Sequence, residues 1–195
     1  LKVILQHNPA RIISSSAKIS KADITKRKCF LCRENRPQEQ MMLKFEGRKG
    51  KKYHVLLNPY PIFPEHLVVA DARHTDQTIW KRYVDMLDLA RKYTDFTFFY
   101  NGPKSGASAP DHHHFQAAPA GLIPLVNDVD RLLAGTGDAG KTSLHGADGA
   151  AWQEAPIASI QDAHLYHYDG FTTGVFVLRA ETVKSAAKLF YRLLD

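Results

Sequence analysis

The residues with the clearest capacity for chemistry lie together in the stretch 101–116, which reads Asn-Gly-Pro-Lys-Ser-Gly-Ala-Ser-Ala-Pro-Asp-His-His-His-Phe-Gln. A turn rich in glycine and serine leads into His112, His114 and Gln116, which are spaced by two. Alternate side chains of a β-strand share one face, so a strand here would project two imidazoles and an amide together. Such a face, beside a loop rich in backbone N–H groups, suits attack on a phosphate and binding of its oxygens.

Each part of this stretch meets a requirement of phosphate chemistry. A neutral imidazole is a competent nucleophile near pH 7, provided that its other ring nitrogen donates to a fixed acceptor. Gly102, Gly106 and Ser108 offer backbone N–H groups and a hydroxyl to the phosphate oxygens, and Lys104 offers a positive charge. The middle histidine, His113, falls on the opposite face of such a strand, where we expect a structural role. The alternatives for the histidine run are surface residues or a tag remnant, and its internal position argues against a tag.

The turn Gly106-Ala-Ser108 followed by His112-x-His114-x-Gln116 resembles the histidine-triad (HIT-like) superfamily. A glutamine in the third place makes the motif most similar to one branch of that superfamily. This branch holds galactose-1-phosphate uridylyltransferase, diadenosine tetraphosphate phosphorylase and GDP-galactose phosphorylase.

This resemblance extends over about residues 8–120 and implies roles for individual residues. It implies that His114 becomes nucleotidylated, that Gln116 binds the phosphate oxygens, and that the turn beginning at Asn101 is the phosphate loop. Relatives form homodimers, and the sequence leaves the oligomeric state of this chain open. One departure from the uridylyltransferase pattern is Asp111, an extra residue directly before the first histidine of the motif.

A neutral amide in the third place has a chemical consequence. Gln116 cannot donate a proton as an acid, and general acid catalysis is worth roughly a hundredfold or more. The leaving group should therefore be a good one, such as a sugar phosphate or nucleoside phosphate, and the acceptor should be phosphate or a sugar 1-phosphate rather than water. We predict a nucleotidyltransferase or phosphorylase that acts on a nucleotide sugar or a dinucleoside polyphosphate. The alternatives are a hydrolase of nucleotide conjugates and a non-catalytic, zinc-stabilised binding module.

Cys29 and Cys32 have the separation typical of ligands to tetrahedral zinc. A redox role would require a helix after the first cysteine, and residues 34–37 (Glu-Asn-Arg-Pro) disfavour one. The resemblance implies the remaining ligands, because relatives add a histidine after a buried strand and the first histidine of the motif, here His74 and His112. We expect a structural Zn²⁺ site. The alternative is a reduced cysteine pair in a packed loop, with His74 capping a helix.

Further substrate contacts are implied by two other stretches. Asn58 begins a segment that resembles the nucleotide pocket of the superfamily, in which Ile62 and Phe63 could pack on a base. Arg11 and Lys18 lie in an N-terminal stretch whose basic residues meet phosphate in relatives. Core filling is the alternative for the aromatic and aliphatic residues, and ordinary surface charge is the alternative for the basic ones.

The composition is that of a globular protein, with 195 residues, 44% hydrophobic and a formal net charge of +6. The basic residues are dispersed, so solvated loops are favoured over a nucleic-acid surface, and a positive balance also suits phosphorylated substrates. We see no secretory signal and no long apolar run, so a cytoplasmic protein without membrane association is expected. The chain starts without methionine, and whether it is a fragment is left open.

The pattern of elements predicts an α+β fold with a HIT-like antiparallel sheet and flanking helices. The predicted strands are 42–46, 53–58, 66–71, 96–100, 112–118 and 172–179. The predicted helices are 75–93, with Thr75 as N-cap, 127–133 and 181–194. Residues 1–28 are expected to be largely extended and 134–150 to form a loop. We assign 1–126 to the catalytic core with its cysteine loop, and 127–195 to a partial second half on the same sheet.

Overall fold

The computed structural model of the protein describes residues 4–12, 16, 20–133, 156–168, 171 and 173–195. Lys18 and the predicted loop 134–150 lie outside the described residues. The chain forms two compact units, Gln6–Ala120 and a second one made of Leu1–Leu5 with Gly121–Asp195. The sequence-based division at residue 126 stays a prediction.

The unit Gln6–Ala120 is built on a five-stranded antiparallel sheet in the order β1-β2-β3-β5-β4. Its strands are β1 (Met42–Glu46), β2 (Lys52–Leu57), β3 (Leu67–Asp71), β4 (Phe96–Phe99) and β5 (His114–Pro119). The first two form the predicted hairpin. The proline-rich segment that follows β2 cannot supply ladder hydrogen bonds, and it stays outside the sheet. The predicted α+β class with an antiparallel sheet and flanking helices is confirmed and is compatible with a HIT-like fold.

The pairing register assigns the strand residues to two faces of the sheet. One row across all five strands consists of Met42, Leu56, Val68, Gln116 and Phe99. We call the face that carries this row the front face, and the opposite one the back face. Because side chains alternate along a strand, His114 lies on the front face together with Gln116.

The back face holds the main core of this unit. Tyr53, Val69 and Phe115 pack there against Leu89 of α2 (Tyr83–Lys92), and all four side chains are at most 1% exposed. Burial of this apolar area is the dominant favourable contribution to folding. The strands that carry the front-face residues are therefore anchored from behind.

A buried carboxylate ties the first hairpin to this helix. Asp85 accepts hydrogen bonds from the Tyr53 hydroxyl at 2.7 Å and from the Lys51 ammonium at 2.9 Å. A Cβ atom on Gly47 would lie 2.9 Å from an Asp85 oxygen, so only glycine permits this close approach. The tight packing of hairpin on helix thus depends on one residue without a side chain.

The predicted helix 75–93 forms only in its second half, where α2 begins at Tyr83. Thr75 is not its N-cap. The Thr75 carbonyl accepts a hydrogen bond from the His113 N–H at 2.7 Å, and its hydroxyl donates to Asp71 at 2.9 Å. Because these groups are committed to the strands, the segment before α2 stays irregular.

Two further boundaries differ from the sequence-based expectation. The N-terminal stretch contains a short helix, α1 (Lys21–Lys26), capped by the Ser20 side chain. The strand predicted from residue 112 begins at His114, because the N–H of His112 bonds back to the Ala109 carbonyl in a turn. His112 therefore lies just before β5 rather than within it.

The second unit contains α3 (Pro124–Leu133), a three-stranded antiparallel sheet and α4 (Val183–Leu194). Its strands are β6 (Ala158–Ile160), β7 (Ala163–Tyr168) and β8 (Val175–Arg179). Leu189 of α4 packs on Ala163 and Leu165 of the sheet. The predicted last strand and last helix are confirmed with shorter bounds. Among the described residues, no helix combines the length and apolar character needed to cross a membrane.

Candidate functional site

A cavity of about 350 Å³ opens on the front face of the five-stranded sheet, and its volume is in the range of small-molecule sites. Its lining is largely apolar, with a small number of polar side chains that converge on it. The polar side chains are Arg11, Asn58, Asn101, Ser108, His114 and Gln116. Six residues that the sequence singled out for substrate contact or catalysis therefore meet at one place.

His114 has the geometry of a neutral imidazole with one nitrogen reserved for chemistry. Its side chain is 7% exposed, and its Nδ1 lies 2.9 Å from the carbonyl oxygen of His112. A carbonyl can only accept, so Nδ1 carries the proton and Nε2 keeps its lone pair. Burial lowers the pKa of His114, and the hydrogen bond to His112 opposes this only in part. The ring is thus uncharged at neutral pH, with Nε2 unprotonated.

The orientation of the Gln116 amide is set by His66, a buried histidine directly before β3. The backbone N–H of Ile62 donates to Nδ1 of His66 at 3.3 Å, so the proton of this ring is on Nε2. That nitrogen lies 2.9 Å from Oε1 of Gln116 and donates to it. The amide nitrogen of Gln116 is therefore left as a donor at the cavity. Sequence analysis assigned no role to His66, because this contact joins residues 50 positions apart.

The predicted phosphate loop contributes to the cavity only in part. Asn101, Gly106 and Ser108 line it. Gly106 adopts φ of +83°, in the left-handed region that favours glycine. Gly102 and Lys104 are absent from the lining, because the carbonyl of Gly102 closes a turn with the N–H three residues on, and this turn leaves Lys104 exposed.

Two other predicted contact residues lie at the cavity wall, and both bond to the backbone of Tyr60. Asn58 accepts a hydrogen bond from the backbone N–H of Tyr60 at 2.9 Å, and Arg11 donates to the carbonyl oxygen of Tyr60 at 3.0 Å. Ile62 lines the cavity, whereas Phe63 packs edge-on against the His66 ring. Phe63 therefore supports the wall from outside the lining.

The four predicted metal ligands come together beside the cavity. The ligand atoms of Cys29, Cys32, His74 and His112 all lie within 4.8 Å of one another. Sγ of Cys29 is 3.2 Å from Nδ1 of His112, and Sγ of Cys32 is 3.2 Å from Nδ1 of His74. Sulfur and nitrogen ligands of tetrahedral zinc are separated by about 3.5 Å, given bonds of about 2.3 and 2.0 Å.

The protonation of the ring nitrogens also fits a metal. Nε2 of His112 donates to the carbonyl oxygen of Asp71 at 2.9 Å, so Nδ1 keeps its lone pair toward the cysteines. Burial raises the pKa of the Cys32 thiol to about 12, and a bound metal ion would displace that proton. Two thiolates and two imidazoles could hold a metal ion, and soft and borderline donors of this kind suit Zn²⁺.

The two residues between the cysteines form part of the cavity wall. Leu31 packs on Leu56 and Val68 of the front face, and Phe30 and Leu31 both line the cavity. The guanidinium carbon of Arg27 lies 4.2 Å from the centre of the Phe30 ring. Sequence analysis missed these wall residues, although their position between the two predicted metal ligands Cys29 and Cys32 was a usable signal.

Asp111, the departure from the uridylyltransferase pattern, has a partner in this loop. Its carboxylate forms an ion pair with Arg27, whose side chain also covers Phe30. The residue before the first histidine of the motif is thus connected to the cysteine loop.

An antiparallel sheet whose inner strand presents a histidine and a glutamine to a cavity beside a glycine-rich loop is compatible with a HIT-like fold. The chain belongs to the family described as "Domain of unknown function (DUF4922)", whose profile matches residues 1–119. The matched segment includes every residue that lines the cavity.

The chain is also similar to Protein APA1 of Saccharomyces cerevisiae (strain ATCC 204508 / S288c). The two are 31% identical over 93 residues, which covers 42% of this chain and 29% of the yeast protein. The match thus spans less than a third of the yeast protein's length. No solved structure matches the chain significantly.

Proposed function

We propose that this protein transfers nucleotidyl groups through a covalent intermediate on His114. The substrate is a nucleotide sugar or a dinucleoside polyphosphate, and the acceptor is phosphate or a sugar 1-phosphate. The observation that carries the proposal is the hydrogen bond from Nδ1 of His114 to the His112 carbonyl, at 2.9 Å. It leaves an unprotonated Nε2 on a residue that lines the cavity. The similarity to the yeast protein and the resemblance of the motif to nucleotide phosphorylases support the same class of reaction.

In the first step, Nε2 of His114 attacks the α-phosphorus and forms an N–P bond. The P–O bond to the sugar phosphate or nucleotide breaks, and the departing oxygen keeps the electron pair. Nδ1–H stays bonded to the His112 carbonyl, which stabilises the positive charge on the substituted ring. In the second step an oxygen of the acceptor attacks the same phosphorus, the N–P bond breaks, and the lone pair returns to Nε2.

The Gln116 amide binds the charged phosphoryl group and does not transfer a proton. Its nitrogen is free to donate to a phosphoryl oxygen because His66 occupies its oxygen. Ser108 lines the cavity near the same loop and supplies a hydroxyl. Donors fixed before the reaction lower the cost of the charge that develops in the transition state. Since the amide cannot act as an acid, leaving groups that depart as stable anions are favoured. For the same reason, an anionic acceptor is favoured over water.

A metal ion held by the cysteine and histidine cluster would supply structure rather than chemistry to this reaction. It would join the loop that carries Phe30 and Leu31 to His112, two residues before β5 begins. The walls of the cavity would then be fixed relative to His114.

The test is to trap the intermediate. The protein is incubated with UDP-glucose, GDP-glucose or diadenosine tetraphosphate, and intact mass is measured before and after addition of phosphate. We expect the mass to increase by one nucleotidyl group, which is a nucleoside monophosphate less water. Peptide mapping should locate this adduct on His114, and it should be labile in acid and stable in base. Added phosphate or sugar 1-phosphate should discharge it.

His114→Asn and His113→Leu form a matched pair for this experiment, since they alter neighbouring residues whose side chains lie on opposite faces of the sheet. The first should abolish the adduct in a folded protein, and the second should retain it. An adduct that persists in His114→Asn, or maps to another residue, would contradict the proposal. Discharge by water at the same rate as by phosphate would favour the hydrolase.

A further inference from the structure

Gln77 lies beside β5, in the irregular segment before α2, and takes no part in the chemistry proposed above. Its side chain is 3% exposed. A buried amide side chain carries two donor hydrogens and an acceptor oxygen, and each must find a partner. Within the part of the chain that the structure describes, all the partners of the Gln77 amide are backbone groups of the candidate site.

The contacts of Gln77 join two parts of the site. Its Oε1 accepts a hydrogen bond from the backbone N–H of His114 at 2.8 Å. Its Nε2 donates to the carbonyl oxygen of His114 at 3.2 Å and to the carbonyl oxygen of Asn101 at 2.8 Å. One side chain therefore satisfies both backbone polar groups of the proposed nucleophile and a carbonyl at the start of the phosphate loop.

These contacts replace a strand pairing that is missing at this point. On one side His114 pairs with Ala70 of β3. On the other side β4 pairs with β5 only as far as Phe99, which lies opposite Gln116. Continuation of that register would place Asn101 opposite His114. The Gln77 amide lies between these two residues instead and supplies the donor and acceptor of the absent ladder.

We infer that Gln77 is a positioning residue, which separates Asn101 from His114 by the width of an amide. This separation lets the phosphate loop leave the sheet beside the nucleophile. The bond to the His114 N–H fixes the backbone from which the imidazole projects, and thereby the direction of its Nε2. The inference rests on the proposed function for its catalytic meaning. A displacement of about 1 Å at a reacting group can cost roughly a hundredfold in rate.

Gln77→Met, which keeps the length of the side chain and removes its polar atoms, tests this inference. We expect nucleotidylation of His114 by UDP-glucose, GDP-glucose or diadenosine tetraphosphate to slow by about 10- to 100-fold. The dissociation constant of the same nucleotide should change by less than about threefold, because the cavity lining is intact. Hydrogen exchange at the His114 amide, measured without nucleotide, should accelerate by about tenfold or more.

Two further variants separate positioning from general destabilisation. Gln77→Glu keeps an acceptor for the His114 N–H, so it should protect that amide from hydrogen exchange. It should also recover part of the nucleotidylation rate lost in Gln77→Met. Tyr53→Phe removes a buried hydroxyl bonded to Asp85 on the back face. It should lower the melting temperature and leave the nucleotidylation rate unchanged.

The outcomes are distinguishable. A Gln77→Met protein with wild-type nucleotidylation rate and wild-type exchange at His114 would overturn the inference while leaving the proposed function intact. A rate loss that Tyr53→Phe shares would also overturn it. If the wild-type protein forms no adduct with any of the three nucleotides, the proposed function fails, and the catalytic meaning of Gln77 fails with it.

Discussion

The front and back faces of the five-stranded sheet use neighbouring histidines for opposite purposes. On the back face, His113 is fully buried against the rings of Tyr53, Tyr100 and Phe115, and neither of its ring nitrogens has a hydrogen-bond partner among the described residues. On the front face, His114 has a fixed hydrogen bond from one nitrogen and lines a cavity. A ring that serves as core filling thus lies next to one with the geometry of a nucleophile.

The polar groups of the two faces also differ in whether they are paired within the protein. On the back face Asp85 is satisfied by Lys51 and Tyr53, and Asp71 forms a buried ion pair with Arg82. On the front face the Gln116 amide nitrogen is left available at the cavity. The back face thus carries buried charged groups that are paired with one another, and the front face carries an amide donor at the cavity. Substitution of the paired back-face charges should consequently lower stability, and substitution of the cavity residues should affect ligand binding.

The largest expected effect is on the front side, at the metal cluster. Cys29→Ser should reduce the metal content of the purified protein close to zero, as measured by inductively coupled plasma mass spectrometry. The unfolding free energy should fall by more than about 5 kcal/mol, since a structural zinc site contributes roughly 10–16 kcal/mol in small domains.

Asn35→Ala is the matched control for this change. The Asn35 side chain donates to the Cys29 carbonyl at 3.0 Å in the same loop but is not a ligand. The Asn35→Ala protein should retain the metal and lose only about 1 kcal/mol of unfolding free energy. Unchanged metal content in Cys29→Ser would refute the metal site.

On the back face, Asp85→Ala should lower the unfolding free energy by about 3–5 kcal/mol, because it leaves the Lys51 ammonium and the Tyr53 hydroxyl without their buried partner. Urea unfolding measures the loss, and the nucleotidylation rate per folded molecule should be unchanged. Asp88→Ala on the same helix removes a solvent-exposed pair with Arg48 and should cost about 1 kcal/mol or less. Equal losses in the two variants would argue against a back face that is specialised for stability.

The smallest effect at neutral pH is expected for His113→Leu, which removes two buried nitrogens without partners. Stability at pH 7 should stay within about 1 kcal/mol of the wild type, or rise. Burial, aided by the Arg82 charge, lowers the pKa of His113 from 6.5 to about 3. Between these values the unfolded chain binds a proton that the folded chain does not, so stability falls as the pH falls through this window.

The acid limb of the stability curve isolates this contribution. His113 should add about 1.4 kcal/mol of destabilisation for each pH unit below 6.5, down to about pH 3. Urea unfolding at pH 7, 6 and 5 should therefore show a shallower slope for His113→Leu than for the wild type. Parallel curves would mean that His113 is charged or solvated in the folded protein.

The parts of the structure that sequence analysis predicted are those that repeat locally. Alternation along β5 separated His113 from His114, and the two-residue spacing of the cysteines, together with the family resemblance, gave the four clustered residues. These signals come from a strand period and from ligand chemistry. Each operates within a few residues or within a known motif, so a single sequence is sufficient to reveal it.

The parts that sequence analysis missed depend on contacts between distant side chains and backbone. Thr75 has the type of a helix cap, yet it bonds to the strand segment at His113. Gln77 and His66 carry no local pattern that indicates their bonds to His114 and Gln116. Hydrogen bonds of this kind become visible only when the strands are in place, which explains why the roles of both residues were absent from the prediction.

The alternation of the three adjacent histidines has a consequence for how this segment can evolve. A gain or loss of one residue between His112 and His114 would exchange the inward and outward sides of every later position in β5. Core residues such as Phe115 would then face the cavity, and Gln116 would face the apolar interior. Point substitutions can be tolerated one at a time, but length changes cannot, so homologous chains should keep this segment free of insertions and deletions.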